Sequence, residues 1–172
     1  MPNRIVRLFL QDAGRQYDIN RGHQPFRQLT PSLRARFGDA CAYCGSVGPL
    51  VEEHLVPMNR KDAGLHAWGN IVPACKACND IKSSKAWTIH PKLDTRRRQA
   101  ITDYIDEYAY RPDVTELRIV LERLYELSDR QTRALVEFGL VASRPYIAGL
   151  HTPMSVSPAG LVAEPPSGPT PI

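Results

Sequence analysis

Two short segments decide how this chain folds: Cys41-Ala-Tyr-Cys44 and Cys75-Lys-Ala-Cys78, which hold all four of its cysteines. In each pair two residues separate the thiols, a spacing that lets both sulfur atoms of a tight turn reach one metal ion. Four thiolates in a tetrahedral array suit Zn²⁺, and because they leave no ligand position open, such a site is structural. The alternatives are disulfides, which a reducing cytoplasm disfavours, and a thioredoxin-like redox pair, which would need a surrounding βαβ pattern. We therefore predict a structural zinc site.

The stretch enclosed by the two pairs, together with the residues just after it, concentrates polar side chains. It reads Leu50-Val-Glu-Glu-His54-Leu-Val-Pro57, then Trp68-Gly-Asn70-Ile-Val-Pro-Ala-Cys75, and then Cys78-Asn79-Asp-Ile-Lys82. We expect a hairpin with strands at Leu50–Glu53 and Ile71–Pro73, followed by a helix from Lys76 to about Ser84. Because zinc would fasten the start of the hairpin to the start of the helix, His54 and Asn79 should converge beside it.

This combination of residues resembles the HNH endonuclease family, in the branch whose ββα-metal core is held by four cysteines. The resemblance runs from about Cys41 to Ala86. It rests on an acidic residue before His54, a proline three residues after it, Asn70 before the second strand, and Cys-x-x-Cys-Asn-x-x-Lys. It implies an α+β protein with a small zinc-stapled ββα-metal core that hydrolyses phosphodiester bonds in DNA, leaving 5′-phosphate and 3′-hydroxyl ends.

The resemblance also implies a role for each site residue. His54 would be the general base, since an imidazole titrates near neutral pH. Glu53 and Asn79 would bind the catalytic divalent ion, and their oxygen atoms suit Mg²⁺ or Mn²⁺. Asn70 would orient His54 and brace the loop. Two positions depart from the commoner pattern: Glu53 stands where Asp is more frequent, and Asn79 stands where many members have His.

The charge distribution favours a polyanionic partner. The net charge is +4, and attraction to phosphates supplies most non-specific affinity for nucleic acids. Arginines recur before the first cysteine pair, and a second basic group follows the last one. Either group alone is as readily a solvated charged face. We expect double-stranded DNA as the partner, with phosphate contacts from Lys82, Lys85, Arg96, Arg97 and Arg98.

The N-terminal extension, residues 1–40, is predicted from local signals. Ile5–Leu10 suggests a short strand, and the Gly, Asn, Pro and polar residues from Asp12 to Gln28 suggest a loop. Thr30 followed by Pro31 is a helix-start signal, so we expect a short helix at Ser32–Phe37 that ends at Gly38.

The C-terminal region, residues 87–144, has helical periodicity. One helix is expected at about Thr95–Tyr108 and a longer one after a cap at Asp113, with an interruption near Ser128 and a last piece at about Arg130–Phe138. The longer helix carries an apolar stripe that either packs on its own domain or forms a homodimer seam: Val114, Leu117, Leu121, Leu124 and Leu127.

The predicted organisation has four parts. The extension at 1–40, the nuclease core at 41–86 and the helical region at 87–144 precede a Pro-rich tail, residues 145–172, that we expect to be disordered. No apolar run is long enough for a membrane span, and no signal-peptide pattern is present, so we expect a cytoplasmic protein.

Two alternatives to a DNA endonuclease remain open from the sequence. A non-catalytic, zinc-stabilised nucleic-acid-binding module would need the cysteines and arginines but neither His54 nor Asn79. An RNA-cutting toxin of the HNH type would use the same residues on another substrate. The core does not distinguish a restriction enzyme from a phage-type nuclease, because sequence specificity comes from contacts outside it.

Overall fold

A computed structural model of the chain describes residues 2–149, with side chains described over residues 2–144. Within these residues the fold is α+β, as predicted, with five α-helices, a two-stranded sheet and a short 3-10 helix at Trp87–Ile89. The elements are α1 (Pro2–Asn20), α2 (Pro31–Arg36), β1 (Val51–His54), β2 (Ile71–Ala74), α3 (Lys76–Lys82), α4 (Thr95–Glu107) and α5 (Thr115–Gly149).

The hairpin and the helix after it form the centre of the molecule. β1 and β2 are antiparallel, with Val51 opposite Ala74 and His54 opposite Ile71. The backbone N–H of Ala42, between the first two cysteines, donates to Pro73 O at 2.8 Å and ties that turn to β2. Both strands lie within one residue of their predicted bounds. α3 begins at the predicted residue and ends two residues early, because Ser83 has φ 48° and leaves the helical conformation.

Two of the flanking helices begin at side-chain caps, and the cap at Thr30 is the predicted one. Thr30 Oγ1 accepts a hydrogen bond from the Leu33 N–H at 3.2 Å, and the Asp94 carboxylate accepts from the Arg97 N–H at 2.7 Å. Such caps satisfy backbone donors that a helix start leaves free, and each typically contributes about 1 kcal/mol. The predictions of α2 and α4 are confirmed to within one residue at either end.

The N-terminal prediction was wrong. The strand expected at Ile5–Leu10 and the first part of the loop expected at Asp12–Gln28 are instead one helix, α1, which runs to Asn20. Residues 21–28 lie outside helices and strands, as predicted. Its buried face is narrow and partly polar: Val6, Leu10, Gly14 and Asp18. Glycine and aspartate on that face are loop signals in a sequence, and only tertiary contacts explain them here.

The prediction of a break near Ser128 was also wrong. α5 is continuous through this point. There the Thr132 hydroxyl donates to Ser128 O at 2.7 Å, and Arg133 pairs with Asp129 at 2.8 Å across one turn. The helix extends to Gly149, past the predicted start of the tail at 145. The rest of the predicted tail, residues 150–172, lies outside the described residues. None of the described helices is long and apolar enough to cross a membrane.

The described residues up to Ala134 form one compact unit that contains two apolar clusters, and a second unit begins at Leu135, within α5. The first cluster surrounds the hairpin and includes Leu55, Ile71, Ile101 and Tyr104. The second joins α1, the loop between the strands and the start of α5, and includes Leu10, Leu65, Tyr110 and Leu121. Leu121 of the predicted apolar stripe is thus fully buried within its own unit, with Val114 and Leu117 packed against the same cluster.

Candidate active site

The four cysteines converge as the spacing predicts. Their sulfur atoms all lie within 4.8 Å of one another, and Cys44 Sγ is 3.8 Å from Cys75 Sγ. A tetrahedral zinc with Zn–S bonds of about 2.3 Å places its sulfur ligands about 3.8 Å apart. The structure contains no disulfide among them. The cluster is therefore positioned to bind a metal and fits structural zinc.

The cluster joins the elements that carry the polar residues. Cys75 is the N-cap of α3, and Cys78 lies buried in the first turn of that helix. Cys41 N–H donates to Ser46 O at 3.0 Å, closing the turn that leads into β1. His54 at the end of β1 and Asn79 on α3 line one cleft of about 490 Å³.

His54 contacts a residue to which the sequence assigned no role. Its Nε2 lies 3.1 Å from Nδ1 of His66, a hydrogen bond in which one ring donates and the other accepts. Burial, followed by the charges of His66, Arg7 and Lys82, lowers the pKa of His54 to about 3. Burial and the charge of Arg15 also lower the pKa of His66. Both imidazoles are therefore neutral at neutral pH, the form in which a ring nitrogen can accept a proton.

His66 is held in place from two sides. Its ring packs edge-on against Phe26 with centroids 5.1 Å apart. Its backbone N–H points to Leu10 O of α1 at 3.4 Å. A Cβ at Gly14 would lie 2.3 Å from the His66 carbonyl oxygen, so α1 lies as close to this loop as a glycine allows. No sequence signal revealed His66, because its partner at His54 and its support from α1 are both tertiary.

Glu53 and Lys82 form a buried ion pair on the cleft wall. Glu53 Oε1 is 2.7 Å from Lys82 Nζ, and the two side chains are 7% and 1% exposed. Burial raises the pKa of Glu53, and Lys82 opposes that rise. Lys82 is thus engaged with Glu53 rather than projecting to a phosphate, and its predicted phosphate contact stays a prediction. The Glu53 Oε2 atom remains as a second acceptor on the same carboxylate.

Asn70 is fully buried and braces the loop between the strands. Its side-chain nitrogen donates to Leu65 O at 2.7 Å and to Val56 O at 3.1 Å. Its side-chain oxygen accepts from the Val56 N–H at 2.8 Å. The amide therefore fixes the chain two residues after His54 and does not hydrogen-bond the imidazole. The predicted bracing of the loop by Asn70 fits these contacts. Asn70 could orient His54 only indirectly, through the backbone that it holds.

The other predicted basic residues lie away from this cleft. Arg96 and Arg97 line a separate pocket beside the first cysteine turn, where Arg97 packs against Gly45 and pairs with Asp94. The Arg98 guanidinium donates to Thr88 O at 2.9 Å, and Lys85 lines another pocket next to Lys82. The structure does not bring these four side chains together with His54.

The cleft instead receives side chains from α1, namely Arg7 and Gln11. These residues and His66 are what sequence reasoning missed. The four-residue spacing of Arg7, Gln11 and Arg15 is a helical signal, but it was hidden by the assignment of a strand and a loop to this segment.

Comparison with known proteins supports one assignment. Residues 41–85 match the model of the family described as HNH endonuclease. No curated protein and no solved structure matches the chain. The matched residues include the four cysteines, both strands, His54, Asn70 and all of α3. Residues 41–85 are an HNH endonuclease domain, and the four cysteines positioned to bind a metal fit the zinc-stapled form of that domain.

Proposed function

We propose that the protein is a metal-dependent endonuclease that hydrolyses phosphodiester bonds in double-stranded DNA, with His54 as the general base. The observation that carries this proposal is the cleft, whose lining brings the neutral imidazole of His54 together with the Glu53 carboxylate of the same strand and the Asn79 amide of α3. Hydrolysis needs a base that accepts a proton from the attacking water and positive charge that stabilises the phosphorane. The imidazole can serve as the base, and a divalent ion held by the oxygen atoms of the cleft would supply the charge.

The residues on the cleft wall suit a divalent ion with oxygen ligands. Glu53, Asn79 and Glu52 all line the cleft, and carboxylate and amide oxygens are the ligands that Mg²⁺ and Mn²⁺ prefer. Glu53 Oε2 and the side-chain oxygen of Asn79 would hold this ion. When bound, it would supply positive charge to the phosphorane and the departing 3′-oxygen.

His54 would accept the proton of the attacking water. An anionic phosphate in the cleft favours a protonated imidazole, and so raises the pKa of His54 from its low value toward the range of an effective base. His66 would hold the ring orientation through the 3.1 Å contact. Asn70 would keep the chain after His54 in place. The expected products carry 5′-phosphate and 3′-hydroxyl ends.

The test is relaxation of supercoiled plasmid by zinc-loaded protein with Mg²⁺ or Mn²⁺. Wild type should nick the plasmid and His54→Ala should not, with equal zinc content and equal DNA binding. If wild type binds DNA but never cuts it under any divalent ion, the non-catalytic binding module becomes the better account. Faster cleavage of an RNA added in place of the plasmid, under the same conditions, would favour the RNA-cutting alternative. The biological role we favour is that of a restriction or phage-type enzyme, acting in the cytoplasm, where thiols stay reduced for zinc.

A homodimer through α5 is a further proposal. Between residues 135 and 141 of this helix, five large apolar side chains are more than half exposed: Leu135, Val136, Phe138, Leu140 and Val141. Exposed apolar residues in such number commonly mark a contact surface. Light scattering across a concentration series would show a dimer if this surface pairs with its copy, and a monomer at high concentration would remove the proposal.

A further inference from the structure

Helix α1 places a stripe of polar side chains along the wall of the His54 cleft. Arg7, Gln11 and Arg15 follow one another at intervals of four residues and so share one face of the helix. Arg7 and Gln11 line the His54 cleft. Gln11 and Arg15 line a second cleft, of about 650 Å³.

The two clefts adjoin each other. Their linings share Gln11, Glu52 and His66, so together they form one groove that runs beside α1 and past His54. We call it the α1 groove. Its cationic side chains outnumber the carboxylates: Arg7, Arg15, Arg27 and Lys82 against Glu52 and Glu53.

We propose that the α1 groove binds the sugar–phosphate backbone of the nucleic-acid substrate, with Arg7 and Arg15 each contacting a phosphate of one strand. This inference rests on the proposed nuclease function, and it assigns to α1 phosphate contacts that were predicted from the sequence for Arg96, Arg97 and Arg98.

The positive charges of Arg7 and Arg15 are available to an anionic ligand. Glu53 is already neutralised by Lys82 at 2.7 Å. Arg7 forms no ion pair within the described residues, and the pair of Arg15 with Asp12 is exposed on both sides. An exposed pair of this kind contributes about 0–1 kcal/mol, so a phosphate can replace the aspartate at little cost. Both arginines lie close enough to the imidazoles to act on them, since Arg7 lowers the pKa of His54 and Arg15 that of His66.

The spacing along α1 matches a nucleic-acid strand. Eight residues separate Arg7 from Arg15, which is about 12 Å at a rise of 1.5 Å per residue. Phosphates of one DNA strand succeed one another every 3.4 Å along the duplex axis, so two guanidinium groups about 12 Å apart would contact different phosphates of a strand. Long guanidinium side chains can take up the remaining mismatch and bind phosphate oxygens in a bidentate manner.

The polar stripe on α1 is held in a fixed position relative to the imidazoles of His54 and His66. Val6, Leu10 and Gly14, each one residue before a member of the stripe, form the buried face of α1. Gly14 brings the helix against the His66 backbone, and Leu10 belongs to the second apolar cluster. A binding surface on such a packed helix holds its ligand more precisely than a loop would.

The experiment measures DNA binding against salt concentration in the zinc-loaded His54→Ala protein, which should not cut the probe. The probe is a short fluorescent DNA duplex of mixed sequence. The test variant adds Arg7→Gln and Arg15→Gln. The control variant adds Arg123→Gln and Arg130→Gln, two exposed arginines of α5 that line neither cleft. Both variants lose two positive charges, so they share the same net charge.

Each lost phosphate contact should make the slope of log K against log salt less negative by about 1. We expect a change of about 2 for the test variant, little change for the control, and a restored slope for Arg7→Lys with Arg15→Lys. Equal effects of the test and control variants, or an unchanged slope in the test variant, would overturn the inference and leave the nuclease proposal standing. Failure of the parent protein to bind nucleic acid at all would instead remove the proposed function, and this inference with it.

Discussion

Replacement of Lys82 by methionine probes the buried pair at the centre of the cleft. Methionine keeps most of the side-chain length but leaves the Glu53 carboxylate, 7% exposed, without its partner. An unpaired buried charge costs far more than a lost surface pair, and removing one member of such a pair typically costs 3–5 kcal/mol. We therefore expect Lys82→Met to lower the free energy of unfolding by about 3–5 kcal/mol at pH 7.5.

The pH dependence of this loss has a defined sign. Burial raises the folded-state pKa of Glu53, and the loss of Lys82 removes the effect that opposes the rise. A carboxyl group whose pKa is raised on folding favours the folded state when protonated and disfavours it once the pH exceeds that pKa. The destabilisation in Lys82→Met should therefore be largest at pH 7.5 and shrink as the pH falls toward the ordinary value of 4.5.

The assay is urea unfolding of the zinc-loaded protein at pH 7.5 and pH 5.5. Lys76→Met is a matched control on the same helix, since the Lys76–Asp80 pair at 3.0 Å is 81% and 60% exposed and should contribute at most about 0.5 kcal/mol. The double variant Glu53→Leu with Lys82→Met removes both charges and should recover most of the loss. A loss in Lys82→Met as small as that in Lys76→Met would show that Lys82 does not compensate a buried charge on Glu53.

Three further predictions concern the metal, the second histidine and the helix contact. Cys41→Ser should reduce zinc measured by mass spectrometry from one ion per chain to none and abolish cooperative unfolding; retained zinc would contradict the assignment. His66→Ala should lower kcat by about 10–100-fold without weakening DNA binding. The charge of His66 contributes to the lowering of the His54 pKa. The His66→Ala substitution should therefore also move the acidic limb of the pH–rate profile to higher pH. An unchanged pH–rate profile would show that His66 does not position His54. Gly14→Ala should destabilise the protein by about 1–3 kcal/mol through a 2.3 Å clash with the His66 backbone. Gly139→Ala, with no described atom within 4 Å, should stabilise by up to about 1 kcal/mol; equal thermal shifts in the two variants would contradict the contact.

The structure around the cysteines was predictable because its sequence signals act over a few residues or follow from the chemistry of metal binding. Cys-x-x-Cys spacing, the caps at Thr30 and Asp94, and the short apolar runs beside the cysteines each specify structure within a few residues. The elements they predict lie within two residues of the observed bounds. His54 and Asn79 line the same cleft for the same reason, since a shared metal cluster leaves little choice of where the hairpin and α3 meet.

The surroundings of the site were not predictable in this way. α1 buries a glycine and an aspartate because its neighbours need them: Gly14 admits the His66 backbone, and the Asp18 carboxylate accepts the backbone N–H groups of Phe26 and Trp68. Both residues suggest a loop when only neighbours in sequence are considered. The His54–His66 contact likewise joins residues whose approach depends on the whole loop being folded against α1.

We propose that the cleft around His54 is where phosphodiester bonds are cut. The most direct measurement is the single-turnover cleavage rate of a DNA duplex by wild type and His54→Ala, each with its zinc content and DNA affinity measured on the same samples. We predict cleavage by wild type that depends on Mg²⁺ or Mn²⁺ and leaves 5′-phosphate ends, with a loss of about 100-fold or more in His54→Ala at unchanged binding. Equal rates for the two proteins, or no cleavage by wild type while it binds the duplex, would contradict the account.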